Sequence, residues 1–222
     1  MYPIFLAFLV IWGIFLGEFS AASALISKVV GKVQSTYVTS REVYISGWIE
    51  KVLFPEQNKL SKDPVKLPQA NSAQFKGMVQ SSLLEMVVAL EAESFSAVKV
   101  SKAEIDQALV LLKRRLLDNS KMQTLGVKAE ELRPQVRRKL IAKEFIRFKA
   151  DSSVVSVTGA EAKNYFESNR LKFGDLPYES FKENIKVYLT REQVNKRLRD
   201  WFEVLQAKYK VTTLAVEGVE SQ

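Results

Sequence analysis

The chain has 222 residues, with 33 Lys and Arg against 25 Asp and Glu for a formal charge of +8; 47% of its residues are hydrophobic and 26% charged. Such a composition buries a real core and fits one large domain or two small ones. Cys and His are both absent, which excludes disulfides, thiol nucleophiles, thiolate or imidazole metal sites and every Ser-His or Cys-His nucleophile.

The first 24 residues read as an export signal. Ile4 to Gly17 is an apolar run of about fourteen residues, followed by Glu18, Phe19 and the small residues Ser20 to Ala24. A bilayer-spanning helix needs about twenty apolar residues, so this run suits the core of a secretory signal. Ala22-Ser23-Ala24 is an A-x-A site, which places cleavage after Ala24 and a mature N-terminus at Leu25. No Lys or Arg precedes the run, so a retained anchor is the alternative; bacterial lipid anchoring requires a Cys and is excluded. Cleavage would also remove Glu18, leaving 33 basic residues against 24 acidic ones, or +9.

Beyond the signal the chain reads mostly as helix. Capping boxes of the form Ser/Thr-x-x-Glu/Gln stand at Thr39–Glu42, Ser101–Glu104, Thr158–Glu161, Ser180–Glu183 and Thr190–Gln193, with Asn71–Gln74 a weaker sixth. Apolar residues at helical spacing follow them: Phe75, Val79, Leu83, Met86 and Leu90; Ile105, Leu109, Leu112 and Leu116; Val194, Leu198, Trp201 and Leu205. Two Val-rich stretches, Lys28 to Val38 and Lys210 to Val216, look extended. Neither can stand alone, so they are expected to pair and bring the two ends of the mature chain together. Pro55 to Ser72 reads as a long loop and Asn169 to Pro177 as a second break.

Catalytic spacing is missing from the residue types that remain. Glu130-Glu131 and Glu91/Glu93 are the nearest carboxylate pairs; neighbours on a helix point apart, so they read as solvated charge. There is no Gly-rich phosphate loop. Lys113-Arg114-Arg115, Arg137-Arg138-Lys139, Lys143 and Arg147 lack the interleaved aromatics and glycines of nucleic-acid modules, and read as a solubilising face. Attraction of acidic client segments or anionic headgroups is a secondary use. Most aromatic residues, Trp201 included, read as core. On the helix over 132–149, Leu132, Val136 and Leu140 share one side, while Ile141, Phe145 and Phe148 lie opposite. Either that helix is packed on both sides, or Phe148 and then Phe145 belong to an exposed patch.

In order, several of these segments resemble the core module of the SurA-type periplasmic chaperones, related to trigger factor. Ile26 to Val33 with Thr39 to Val43 is similar to that family's opening strand and first capped helix. Val98 to Asp106, Leu132 to Phe145, Val157 to Glu161 with Tyr165-Phe166, and Phe181 to Ile185 with Trp201 and Tyr209-Lys210-Val211 follow in the family's order. In that family, parvulin-type prolyl isomerase domains sit before the closing helix. Here Glu167 to Glu179 is far too short for a domain of about 100 residues, and the histidines the parvulin site relies on are absent.

The expected fold is therefore mainly α, a helical chaperone module over residues 25–216 with a small β pairing of its N- and C-terminal strands and a tail at 217–222. The resemblance implies an ATP-independent periplasmic chaperone for unfolded or partly folded exported proteins, outer-membrane proteins above all. No catalytic residue, metal, cofactor or nucleic-acid partner is expected; transient contact with the envelope surface is compatible with it. Ile141, Phe145 and Phe148 are the candidate client-binding residues. The alternatives are a prolyl isomerase or its accessory subunit, and an envelope scaffold with one defined partner.

Overall fold

Val-rich β1 (Val29–Val33) turns through Gln34, which adopts a left-handed conformation (φ 53°), into β2 (Thr36–Thr39), and the two strands pair antiparallel. This computed structural model describes residues 27–55, 68–69, 72–96 and 98–214. The apolar run and Ala24 lie outside the described residues, as does most of the proline-rich loop. The far end of the chain returns as β3 (Thr212–Thr213), whose partners on β1 are Gly31 and Lys32 in a sheet ordered β2-β1-β3. The two ends thus pair as expected. The first extended stretch, however, is a hairpin and not a single strand. Gly31 is needed at this crossing: a Cβ there would stand 2.8 Å from Leu83 Cδ1 and 3.1 Å from the Thr212 carbonyl.

Seven α-helices follow among the described residues: α1 (Ser40–Leu53), α2 (Ala73–Phe95), α3 (Lys102–Leu117), α4 (Ser120–Thr124), α5 (Ala129–Ser152), α6 (Gly159–Ser168) and α7 (Lys182–Lys208). Reciprocal capping boxes start α1 at Thr39, α3 at Ser101 and α6 at Thr158. Three other expected starts move. α2 is capped by Ser72, whose hydroxyl accepts from the Phe75 amide, one residue past Asn71. Ser180 is spent in the short 3-10 turn Tyr178–Ser180, so α7 begins after Phe181. Thr190 lies inside α7, because a local four-residue motif cannot outweigh apolar residues that continue on both sides of it.

α2 buries one face at its start through Phe75 and Val79 and is buried nearly all round from Ser82 to Ala92, through Leu83, Met86, Val87 and Val88, which makes it the central helix of the body. Around it, α1, α3 and α5 bury Ile45, Trp48, Leu112, Leu132 and Val136, and the end of α7 adds Leu205 and Tyr209. Ile141 and Phe145, on the opposite side of α5, are buried in this same core, so α5 is packed on both sides. Arg41 pins the start of α1 to the turn before α5, donating to both Glu131 carboxylate oxygens (2.7 and 2.8 Å) and to the carbonyls of Leu125 and Gly126. A second, smaller cluster joins Val157, Ala162 and Phe166 to Ile185, with Phe173, Tyr178 and Phe181 packed against it. Helix α7 therefore serves two cores: its first half closes the small one, its last turns the large one.

Candidate functional site

Three features of the surface and interior could carry function. The first is a cleft of about 600 Å3 between α1, α2 and α5, lined by Ser46, Gly47, Glu50, Met78, Glu85, Lys139 and Lys143 among others. At its base Glu85 Oε2 accepts from Lys139 Nζ at 2.6 Å and from Ser46 Oγ at 2.9 Å, while Oε1 accepts from Arg138 Nε at 2.9 Å. Lys139 also reaches Glu50 at 3.1 Å. Burial pushes the Glu85 carboxyl up, but the charges and hydrogen bonds of Lys139 and Arg138 outweigh it and leave that carboxyl below the usual carboxylate range. Burial pulls the Lys143 ammonium down, and its Nζ lies over the Phe54 ring. Lys139, Arg138 and Ser46 are matched to the Glu85 and Glu50 carboxylates, so this network ties three helices together.

The second feature is an aromatic seam where the end of α5 meets the ends of α2 and α7. Phe145, buried, has the Phe148 ring stacked 6.0 Å away, Phe95 at 6.4 Å and Trp201 edge-on at 5.7 Å. The outer rings reach solvent: Phe95 is 65% exposed and Phe148 49%. Lysines frame them, with Lys149 Nζ over Trp201 and Lys208 Nζ over Phe95.

The third is a groove of about 750 Å3 further along α7, walled on one side by Ala150, Asp151 and Val154 to Val157, and on the other by Glu183, Lys186, Val187, Thr190, Arg191 and Val194. Val154, Val155 and Val187 face solvent in it, Val187 at 69%. Arg197 marks the boundary between seam and groove, its Nη1 donating to the Ser153 carbonyl at 3.0 Å. The two features thus follow one another along the same helix.

Of the residues singled out from the sequence, Phe148 alone lies on this surface; Ile141 and Phe145 support it from the core. The exposed valines of the groove and Phe95 were not anticipated. Val154-Val155 could have been noticed as an apolar pair outside any helical spacing, whereas Val187 carries no local signal. Among the described residues no group of three or more Asp or Glu could hold a metal ion, and no helix is long and apolar enough to cross a membrane. No protein-family model matches the chain, and no curated protein matches it either.

Proposed function

We propose that this chain holds unfolded or partly folded exported polypeptides, outer-membrane proteins in particular, in the periplasm and without ATP. The observation that carries the reading is a run of solvent-facing apolar side chains beside α7: Phe95 at the end of α2, Phe148 near the end of α5, Val154 and Val155 just after α5, and Val187 on α7 itself. Exposed apolar surface rimmed by charge marks a site for another apolar surface, and a groove beside a helix accepts an apolar segment by matching its side chains. The resemblance of the ordered segments to SurA-type modules supports the same reading. The shortness of Glu167 to Glu179, which holds only the end of α6, a 3-10 turn and the start of the next, supports holding without isomerisation.

The test is suppression of aggregation of an unfolded outer-membrane protein at near-stoichiometric ratios without nucleotide. Phe95→Ser and Val187→Ser together should weaken suppression several-fold while leaving the melting temperature nearly unchanged, since both side chains are largely solvated. Absence of suppression at any ratio would favour a scaffold with one defined partner. Acceleration of a proline-limited refolding step, which takes tens to hundreds of seconds uncatalysed, would favour the isomerase.

A further inference from the structure

Away from seam and groove, α3 presents a face that the fold does not use. The helix buries Ile105, Leu109 and Leu112 against the core. On its opposite side Val110 and Leu117 are exposed at 61% and 77%. Val110, Arg114 and Leu117 are spaced i, i+4 and i+7 and form one line along the helix. Lys113 and Arg115 stand on either side of Arg114 around the helix, and Lys121 follows on α4; all four cations are solvent-exposed.

These cations have no ion-pair partner among the described residues. The carboxylates of α3 itself are engaged elsewhere: Glu104 closes the cap at Ser101, and Asp106 is held by Arg133 at 2.6 Å. Asp118, at the C-cap, is the remaining acidic neighbour in sequence. Solubility needs only the cations and gives Val110 and Leu117, which lie among them, no role. A nucleic-acid backbone would engage the cations and leave both aliphatic side chains in water. A headgroup layer uses both kinds of residue, because cations take the phosphates while aliphatic side chains enter the boundary beneath them.

We propose that the outer face of α3 docks on an anionic lipid headgroup layer, with Lys113, Arg114, Arg115 and Lys121 on the phosphates and Val110 and Leu117 dipping into the interface. The contact lies on the membrane and does not span it. It is independent of client holding, so either can fail without the other.

The chain has no Cys, so a single introduced thiol takes a fluorophore at one known place. Leu117→Cys in the full chain, labelled with an environment-sensitive dye, should show a blue shift and brightening with vesicles of phosphatidylcholine plus phosphatidylglycerol. Vesicles of phosphatidylcholine alone should give neither. The same dye on Leu171→Cys, a fully exposed site in the turn after α6, should stay in water, which separates local docking from any membrane affinity elsewhere in the chain. Each cation near an anionic surface adds about fivefold in affinity, so Lys113→Gln with Arg114→Gln and Arg115→Gln should weaken the response roughly a hundredfold. High salt should do the same to the chain without those changes. The proposal is overturned if the dye at 117 stays in water, if neutral vesicles or the dye at 171 respond equally, or if the Gln variant responds undiminished. A response only to an RNA oligonucleotide would also overturn it and assign the face to nucleic acid.

Discussion

Lys139 Nζ stands 2.6 Å from Glu85 Oε2 with both side chains less than a tenth exposed, and this pair joins α2 to α5, which pack along one another in the body. Removing Glu85 leaves buried Lys139 with Glu50 at 3.1 Å as its remaining partner and strips Arg138 and Ser46 of their acceptor. Glu85→Ala should therefore cost about 3 kcal/mol, the low end for a broken buried pair, read by chemical denaturation. Replacing Glu85 and Lys139 together by Met should cost less than the sum of the single changes, and a strictly additive cycle would show that the pair is not coupled.

The same carboxyl sets an acid response. Its folded-state pKa lies below the ordinary 4.5, so its contribution is complete above that value and is lost as the pH falls through the depressed one. Glu91 acts in the same sense: burial raises it, but hydrogen bonds from Lys208 and Tyr209 leave it lowered on balance. Melting temperature should be flat with respect to these groups from neutral pH down to about 4.5 and fall below it. In Glu85→Gln the fall should be shallower and start from lower stability.

Phe145 and Phe148 are three residues apart and should behave differently. Phe145→Ala opens a cavity in the core and should cost about 3–5 kcal/mol. Phe148→Ala removes a half-solvated ring and should cost about 1 kcal/mol or less. Equal losses in thermal unfolding would mean that Phe148 is more enclosed than its 49% exposure indicates.

Deleting everything after Lys208 should destabilise more than its few residues suggest. It removes Tyr209, which donates to Glu91 at 2.6 Å and whose carbonyl accepts from the Gln34 amide at 2.9 Å. It also removes β3, exposing an edge of β1 that invites aggregation. Tyr209→Phe isolates the hydroxyl, and losing a buried bond to a charged acceptor should cost about 1.5–3 kcal/mol. A truncated chain with unchanged solubility and melting temperature would refute the closing role of this segment.

Gly31→Ala tests the sheet–helix crossing. The Leu83 methyls can swing away from a new Cβ, but the Thr212 carbonyl 3.1 Å off is backbone and moves only with β3. A loss of about 1–3 kcal/mol is expected, and a neutral substitution would mean that β3 is free to shift.

Where sequence signals are both local and unopposed, the fold is legible from them: Thr39, Ser101 and Thr158 each cap a helix that begins there. The hairpin is not, because the residue that turns it is Gln34, a side chain that advertises no turn, where Gly or Asn would have done so. Thr190 misleads for the opposite reason: its motif is present, but the helix around it is already committed. The helical wheel of α5 correctly separates two apolar sides, yet it cannot say which neighbours cover them. That depends on α2 and α7, which are distant in sequence. The candidate surface suffers most, since exposure of Val187 or Phe95 is decided by what fails to pack on them.

Because β3 lies beside β1, the opening strand has no complete set of neighbours until the last residues of the body arrive. The hairpin, α1 and α2 can associate early, but Gly31 and Lys32 meet Thr213 and Thr212 only when the whole intervening chain exists. Assembly of the large core thus has a built-in final step, and a chain still being synthesised or threaded through a pore remains unlatched until its far end is free.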